Sequence, residues 1–204
     1  MRIVFIVNPI AGGKKQKTKI IELINKNFIN HEILYTKKEG DATELAKQAI
    51  KQAKDIVVAV GGDGTVNECA QALINTEIPL AVIPCGSGNG FAYYFGIKKD
   101  PEISIQQLIN AEKRKIDTGR INNKIFVNVS GIGFDAYIAN LFSKSKRRGL
   151  YTYIKLILRE LSYSSKEFNI TYNGNSKKIN AFMLSFANAS QYGNNLHIAP
   201  DAKV

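Results

Sequence analysis

The sequence predicts an α/β domain built on a parallel sheet over residues 1–120, followed by part of an antiparallel β-sandwich over residues 121–204. Two observations carry that prediction. In the first 120 residues, apolar strand-like runs alternate with stretches of helical periodicity, the arrangement of a mostly parallel sheet covered on both faces. Beyond Lys115, strand-like runs instead follow one another across asparagine-bearing turns.

Taken in order, Arg2–Val7 is a Val/Ile-rich run and reads as a strand. Lys17–Asn27 carries Ile20, Ile21, Leu23 and Ile24 at helical spacing. His31–Tyr35 alternates as a strand. Asp41–Lys54 is an amphipathic helix with Ala42, Leu45, Ala46, Ala49, Ile50 and Ala53 on one face; Asp41 is read as its N-cap, with Glu44 three residues on. Asp55–Val60 is a buried strand, Thr65–Asn75 a helix, Leu80–Ile83 a second buried strand and Ser104–Glu112 a further helix. In the second part, Lys115–Asn122, Lys124–Ser130, Glu167–Tyr172 and Ala181–Ala187 read as strands, with hairpin turns at Asn122-Asn123 and Asn173-Gly174 and a helix over about Leu150–Leu161. So few strands leave an apolar face uncovered, so we expect more chain beyond Val204 or another element to cover it.

Composition excludes several classes. At 45% hydrophobic residues, the chain is too apolar to be disordered. Cys69 and Cys85 lack metal-ligand spacing and predict a reduced, cytoplasmic setting. The apolar run Ile3–Val7 is too short for a signal peptide or a membrane span. His31 and His197 lie far apart in sequence, which leaves no Ser-His-Asp, Cys-His or zinc-type arrangement. Net charge is +11, split as 17 basic and 13 acidic side chains in residues 1–120 (+4) and 11 basic and 4 acidic in residues 121–204 (+7). Such a balance favours phosphate-rich partners or an anionic membrane surface. Nucleic acid is not expected, because the basic stretches carry no recognisable reading module.

Three glycine-bearing loops follow strand-like runs: Asn8–Lys15, Gly61–Thr65 and Pro84–Gly90. Each alone could be an ordinary turn. Together, at the carboxyl ends of successive strands, they point to a polyphosphate ligand. Glycine lets backbone amides approach a polyanion, and the helices that follow add N-terminal attraction for phosphate. Lys14 and Lys15 add charge. Asp63 would repel phosphates unless a cation such as Mg²⁺ lay between them. Asn67 and Glu68, one turn further, are placed to orient a ribose, metal waters or the loop itself.

These loops carry a resemblance. NPIAGG at 8–13, GDATELAKQA at 40–49, GGDGTVNE at 61–68, IPCGSGNGFA at 83–92, KIDTGRINNKIFVNVSGIGFDA at 115–136 and LHIAPDAKV at 196–204 together resemble the diacylglycerol kinase catalytic family, which includes bacterial lipid kinases and sphingosine kinases. GGDGT alone is shared with NAD kinases and, as GGDGS, with phosphofructokinases. The resemblance implies an NAD kinase/phosphofructokinase-like nucleotide-binding α/β domain over 1–120, a lipid-substrate β-sandwich beyond it, and Mg²⁺-dependent transfer of the ATP γ-phosphoryl group to a lipid hydroxyl. The acceptor it implies is diacylglycerol or a related lipid, such as a sphingoid base or monoacylglycerol.

Carried over by motif, Asn8, Gly12, Gly61, Gly62, Gly64, Thr65, Ser87 and Asn89 would contact the nucleotide; Lys14 and Gly86 join them from the same loops, and Glu68 would lie nearby. Asp63 would be catalytic and hold the metal, and Asp117 would join the active-site water network as a second catalytic carboxylate. Two departures stand out. Gly90 and Tyr93 occupy the positions of Asp and Arg in the GTxNDFAR pattern of many bacterial members, so the GSGN form is closer to sphingosine kinases. The family also continues after the APDAK-like stretch and supplies a hydroxyl-activating carboxylate there, so the natural chain is expected to extend past Val204. Two alternatives stay open: an NAD-kinase-like phosphotransferase, and a nucleotide-binding module without turnover. Against the first, NAD kinases place the Asn-Glu pair well downstream of GGDGT.

Residues 143–161 hold Lys144, Lys146, Arg147, Arg148, Lys155 and Arg159 before the first acid, Glu160, and Tyr151, Ile154, Leu158 and Leu161 recur at helical spacing. A basic amphipathic stretch of this kind predicts peripheral membrane contact. A homodimer is a further expectation.

Overall fold

The computed structural model describes residues 1–145, 150–193 and 196–204. The chain forms two compact units, Met1–Asn128 with Asn188–Val204, and Val129–Ala187 between them.

The first unit is built on β1 (Ile3–Val7), β2 (His31–Tyr35), β3 (Ile56–Gly61) and β4 (Leu80–Pro84), all parallel and ordered β2-β1-β3-β4. Alternate residues of each strand face opposite helical layers. Val4, Ile6, Val57, Ala59 and Val82 pack with Ala42, Ala46 and Ala49 of α2 (Asp41–Lys51) and Val66, Cys69 and Leu73 of α3 (Asp63–Leu73). Ile3, Phe5, Val7, Val58, Val60 and Ile83 pack with Ile20 and Ile24 of α1 (Lys14–Asn27) and Ile105 of α5 (Pro101–Ile109). Burial on both faces is why β1 and β3 read as unbroken apolar runs. Fully burying one such Ile, Val or Phe contributes roughly 1.5–3 kcal/mol. The chain leaves β1 toward β2 and returns across it to β3, so the strand order reverses between β1 and β3. In open α/β sheets a ligand crevice lies at that point, outside the carboxyl ends.

Helix starts differ from the sequence reading. α1 begins at Lys14 rather than Lys17, and α3 at Asp63 rather than Thr65. Asp41 is not the N-cap of α2. That place belongs to Gly40, in the left-handed region at φ 87°. Asp41 is the first helical residue, and its carboxylate turns back to accept the Lys37 and Lys38 amides at 2.7 and 3.0 Å. These two bonds hold its carboxyl below the usual carboxylate range. The helix expected at Ser104–Glu112 begins at Pro101, because Asp100 accepts the amides of Glu102 and Ile103 and Pro101 sits in the first turn. A short helix, α4 (Gly90–Tyr94), follows the third loop.

The hairpin β5 (Gly119–Ile121) and β6 (Lys124–Phe126) completes this part, turning at Asn122 and Asn123 with φ of 46° and 64°. Positive φ at both central residues is the type I′ requirement. β6 is held to α3 because Asn67 and Gln71 both donate to the Ile125 carbonyl, at 3.3 and 2.5 Å.

In the second unit, the run expected as one strand at Lys124–Ser130 breaks at Val127-Asn128, and β7 spans Val129–Gly133. α6 (Phe134–Lys144) follows, a helix the sequence reading did not contain, and then α7 (Leu150–Arg159). Lys146, Arg147 and Arg148 lie outside the described residues. β8 (Lys166–Tyr172) and β9 (Asn175–Ala181) form a hairpin through Asn173 and Gly174, at φ 48° and 79°. β10 (Met183–Ala187) pairs with β7, so these strands form two ribbons. Phe134, Tyr163 and Phe182 stack at centroid distances of 4.5–5.5 Å. The Tyr153 hydroxyl donates to Asp135 at 3.3 Å; burial, helped by that carboxylate, pushes the phenol up to about 12.

The chain then re-enters the first unit. The Asn188 amide donates to the Asn128 carbonyl at 2.8 Å, and β11 (Gln191–Gly193) pairs with β12 (Leu196–His197). Among the described residues, no helix is long and apolar enough to cross a membrane.

Each core layer of the first unit encloses one cysteine. Burial pushes the Cys69 thiol up to about 12 and the Cys85 thiol up to about 11. We expect a disulfide reagent at mildly alkaline pH to modify both at least about 100-fold more slowly than free cysteine, because the thiolate is the nucleophile. Guanidinium should release two fast thiols; rapid modification of either in the folded chain contradicts this packing.

Candidate functional site

Three loops leave the carboxyl ends of β1, β3 and β4 and are fastened to one another. The Gly61 carbonyl accepts the amides of Cys85 and Gly86 at 2.9 and 3.3 Å, which joins the second loop to the third. The Asn8 amide donates to the Val60 carbonyl at 2.9 Å, and its side-chain Nδ2 donates to the buried Thr65 hydroxyl at 3.2 Å. The Asn8 Oδ1 meanwhile accepts the Ile10 amide at 3.1 Å and shapes the first loop. Lys17, one turn into α1, reaches the Pro9 carbonyl.

Several glycines predicted to serve a ligand also have a packing reason. A Cβ on Gly86 would lie 2.5 Å from the Gly62 Cα, so here the two loops touch backbone to backbone. Gly12 adopts φ +68°, and a Cβ on it would lie 2.4 Å from the Cys85 carbonyl oxygen. At Gly61 a Cβ would meet the Thr65 hydroxyl at 2.4 Å. Gly64 is different. It sits exposed in the first turn of α3, φ is not positive, and no atom lies within 4 Å of where its Cβ would be. Glycine there weakens the helix and relieves no contact within the chain.

Asp63, the first residue of α3, accepts the Phe91 amide through Oδ1 at 3.0 Å and so caps α4. Among the described residues its Oδ2 takes no hydrogen bond; it lies 3.1 Å from where a Cβ of Gly88 would be. Asn89 is 2% exposed at φ 56° and donates to the Gly86 carbonyl at 2.9 Å. Ser87 is exposed at the tip of the third loop, and Lys14 is exposed beside Lys15 in the first turn of α1. The structure therefore brings together Asn8, Gly12, Gly61, Gly62, Asp63, Thr65, Gly86 and Asn89.

Glu68 and Asp117 stand apart from that fastening. The Glu68 carboxylate accepts the Ala42 amide at 3.1 Å, and its carbonyl accepts the Thr43 hydroxyl at 2.8 Å, so it binds α3 to the first turn of α2. Asp117 is exposed, and its carbonyl accepts the Asn188 side chain at 2.8 Å.

The sequence reading missed the residues behind the third loop. A Cβ on Gly90 would lie 2.7 Å from both Asn128 Nδ2 and the Gln191 carbonyl, so no side chain fits at this position. Among the described residues, the side-chain oxygens of Asn89, Asn128 and Gln191 are buried without a hydrogen-bond partner. No spacing in the sequence ties Asn128 or Gln191 to the loops.

Electrostatics mark the outward side. The N-caps of α1 and α3 are Gly13 and Gly62, and among the described residues no side chain accepts from their first turns, whereas α5 is capped by Asp100. Helix N-terminal amides left this way can bind an anion. The first turn of α1 holds Lys14 and Lys15 and no acid, which opposes the helix dipole unless an anion sits there. Among the described residues, no group of three or more His, Cys, Asp or Glu side chains could hold a metal alone. Asp63 fits a looser role, because Mg²⁺ binds through one or two carboxylates and completes its shell with phosphate oxygens and water.

Glycine-bearing loops at the strand-order reversal of a parallel α/β sheet, in a chain that continues into a β-rich unit, lie where open α/β folds bind their ligands. The chain belongs to the diacylglycerol kinase catalytic domain family: that family model matches residues 2–121, and the model of the YegS C-terminal NAD kinase beta sandwich-like domain matches residues 128–204. A protein named diacylglycerol kinase from Mycobacterium tuberculosis is 32% identical over 171 residues, covering 79% of this chain and 55% of that one. The Bacillus subtilis protein of the same name is 30% identical over 210 residues, covering 98% of this chain and 69% of that one. A crystal structure of a diacylglycerol kinase from Bacillus anthracis superposes with a TM-score of 0.69 at 28% identity, covering 93% of this chain and 64% of that one. The chain spans just over half the length of the first curated relatives it matches.

Gly86→Ala forces a Cβ against the Gly62 backbone. We expect denaturant unfolding to show a loss of about 1–3 kcal/mol, as for other overpacked sites. Unchanged stability would mean that the two loops are not in contact.

Proposed function

We propose that this chain is the nucleotide-binding part of an ATP-dependent lipid kinase. In this reading the γ-phosphoryl group of ATP is transferred to a hydroxyl of diacylglycerol or a related lipid, such as a sphingoid base or monoacylglycerol. The observation that carries it is the pair of glycine-capped helix starts at the β1 and β3 loops, one of them bearing two lysines and no acid. Family membership adds the reaction class.

Placement supports the following roles. The amides of Gly13 and Lys14 at the start of α1 and of Gly62–Gly64 at the start of α3 bind phosphate oxygens, and the ammonium groups of Lys14 and Lys15 add attraction. Gly64 leaves room for the phosphate chain to lie against the first turn of α3. Asn8, Thr65 and Asn89 hold the loops in register, and the exposed Ser87 hydroxyl donates to the nucleotide. Asp63 would hold a magnesium ion, which when bound neutralises phosphate charge. Positioning and charge neutralisation are the main demands of phosphoryl transfer. Asp117 is assigned to the polar surroundings of the acceptor.

The test is transfer of labelled γ-phosphate from Mg-ATP to detergent-dispersed diacylglycerol, monoacylglycerol, ceramide and sphingoid base, with NAD in a separate tube. The 204-residue chain is assayed beside any longer natural form. Label in an organic-soluble lipid supports the reading and names the acceptor. Label in NAD instead would replace it with a soluble-nucleotide kinase; ATP binding without transfer by either form would leave a nucleotide-binding module. Asp63→Asn keeps an acceptor for the Phe91 amide and removes the charge, so transfer should fall at least about 100-fold with the fold intact.

Gly64→Ala separates ligand from fold. It should raise unfolding stability by about 0.5 kcal/mol while weakening ATP binding about tenfold. Calorimetric titration and thermal melting read the two effects, and unaltered ATP affinity would remove Gly64 from the site.

A further inference from the structure

The ladder that joins β5 to β6 ends at the pair Gly119 and Phe126. Among the described residues, no backbone bond links residues 116–118, just before it, to Val127 and Asn128 on the other side. Asn188 supplies that link. Its Nδ2 donates to the Asp117 carbonyl at 2.8 Å and to the Val127 carbonyl at 3.0 Å. A side-chain amide has two hydrogens, so both are spent here. The backbone amide of the same residue donates to the Asn128 carbonyl at 2.8 Å. Both side-chain partners are carbonyls, so only the amide nitrogen can face them. An oxygen or a methyl group in its place would take the donor from both.

This junction sets the position of a carboxylate. Asp117 is exposed, and among the described residues its carboxylate takes no hydrogen bond and no ion pair. The side chain therefore stands where its backbone puts it. Ile116, just before it, packs against the core cluster that contains Val127. The hairpin itself is tied to α3, because Asn67 and Gln71 donate to the Ile125 carbonyl and Ile125 pairs with Arg120. α3 begins at Asp63, so a run of bonds leads from the first turns of that helix through β6 to β5. Asn188 carries it past the end of the ladder to Asp117. All of these residues belong to the first unit.

We propose that Asn188 is a positioning residue: it fixes where the Asp117 carboxylate stands, and through that carboxylate it acts on the acceptor. What Asp117 does rests on the lipid-kinase reading. How it is held rests on the hydrogen bonds alone.

The test is a double-mutant cycle in the labelled-phosphate assay, run on the 204-residue chain or on a longer natural form, whichever transfers. Asn188→Ala should lower kcat/KM for the lipid at least about tenfold, while ATP affinity by calorimetry stays within about twofold. Asp117→Asn should also slow transfer. Adding Asn188→Ala to it should then cost no more than about twofold, because no carboxylate is left to position. Asn188→Asp keeps the volume, removes both donors and should repeat the loss. A second readout needs no turnover: Asn188→Ala should move the Asp117 and Val127 carbonyl carbon resonances upfield and leave those of β1 and β3 in place. Unmoved carbonyl resonances, full transfer by Asn188→Ala or normal transfer by Asp117→Asn each overturn the proposal. Losses that multiply in the double variant, or failure of both Asn188 variants to fold, overturn it in favour of a purely structural role. No transfer by either wild-type form fails the kinase reading instead, and the carbonyl shifts then decide whether Asn188 holds Asp117.

Discussion

The contact between the second and third loops holds the rest of the site in place. Two amides, from Cys85 and Gly86, converge on the Gly61 carbonyl, and two glycine backbones meet where any side chain would collide. Through that contact α3 and α4 begin side by side, which lets the Asp63 carboxylate cap α4 at the Phe91 amide. The first loop is drawn in by Asn8, whose side chain reaches Thr65. A backbone-to-backbone contact has no rotamers to adjust, so the relative positions of three helix starts are fixed by the sheet beneath them.

That rigidity coexists with unmet polar demand on the outer side. α5, away from the loops, is capped by Asp100 in the ordinary way, whereas α1 and α3 start on glycine with their first amides unclaimed by side chains. Lys14 and Lys15 add positive charge where the dipole is already positive. Gly64 extends the pattern: it weakens its own helix and fills no tight space. These features are all unfavourable for the isolated chain, and an anion seated on the loops would offset each of them.

The sheet was readable because its physics is local. β1, β3 and β4 are buried on both faces and appear as Val/Ile runs, and the three loops follow them directly. Helix starts were misplaced where glycine is the cap, since Gly13 and Gly62 give no Ser, Thr or Asp signal. Asp41 gave a false one by turning back to Lys37 and Lys38. Glu68 was read toward the loops, but its carboxylate reaches the start of α2. Asn128 and Gln191, which wall in Gly90, lie far from it along the chain, and no periodicity predicts such a meeting. α6 was missed because it follows directly from β7, with Gly133 as its only boundary.

The hydrogen bond from Asn188 to Asn128 means that the middle unit departs from and returns to neighbouring points of the first. Topologically it is an insertion hung on a closed doorway. During synthesis the first unit emerges nearly whole yet lacks its last ribbon, β11 and β12, until the insertion has been made. The polar wall behind the third loop, with Gln191 in it, is therefore assembled only after the insertion has been made. Because the doorway is already shut by a backbone bond, a change of length inside the inserted segment need not part the two points at which the first unit is left and rejoined.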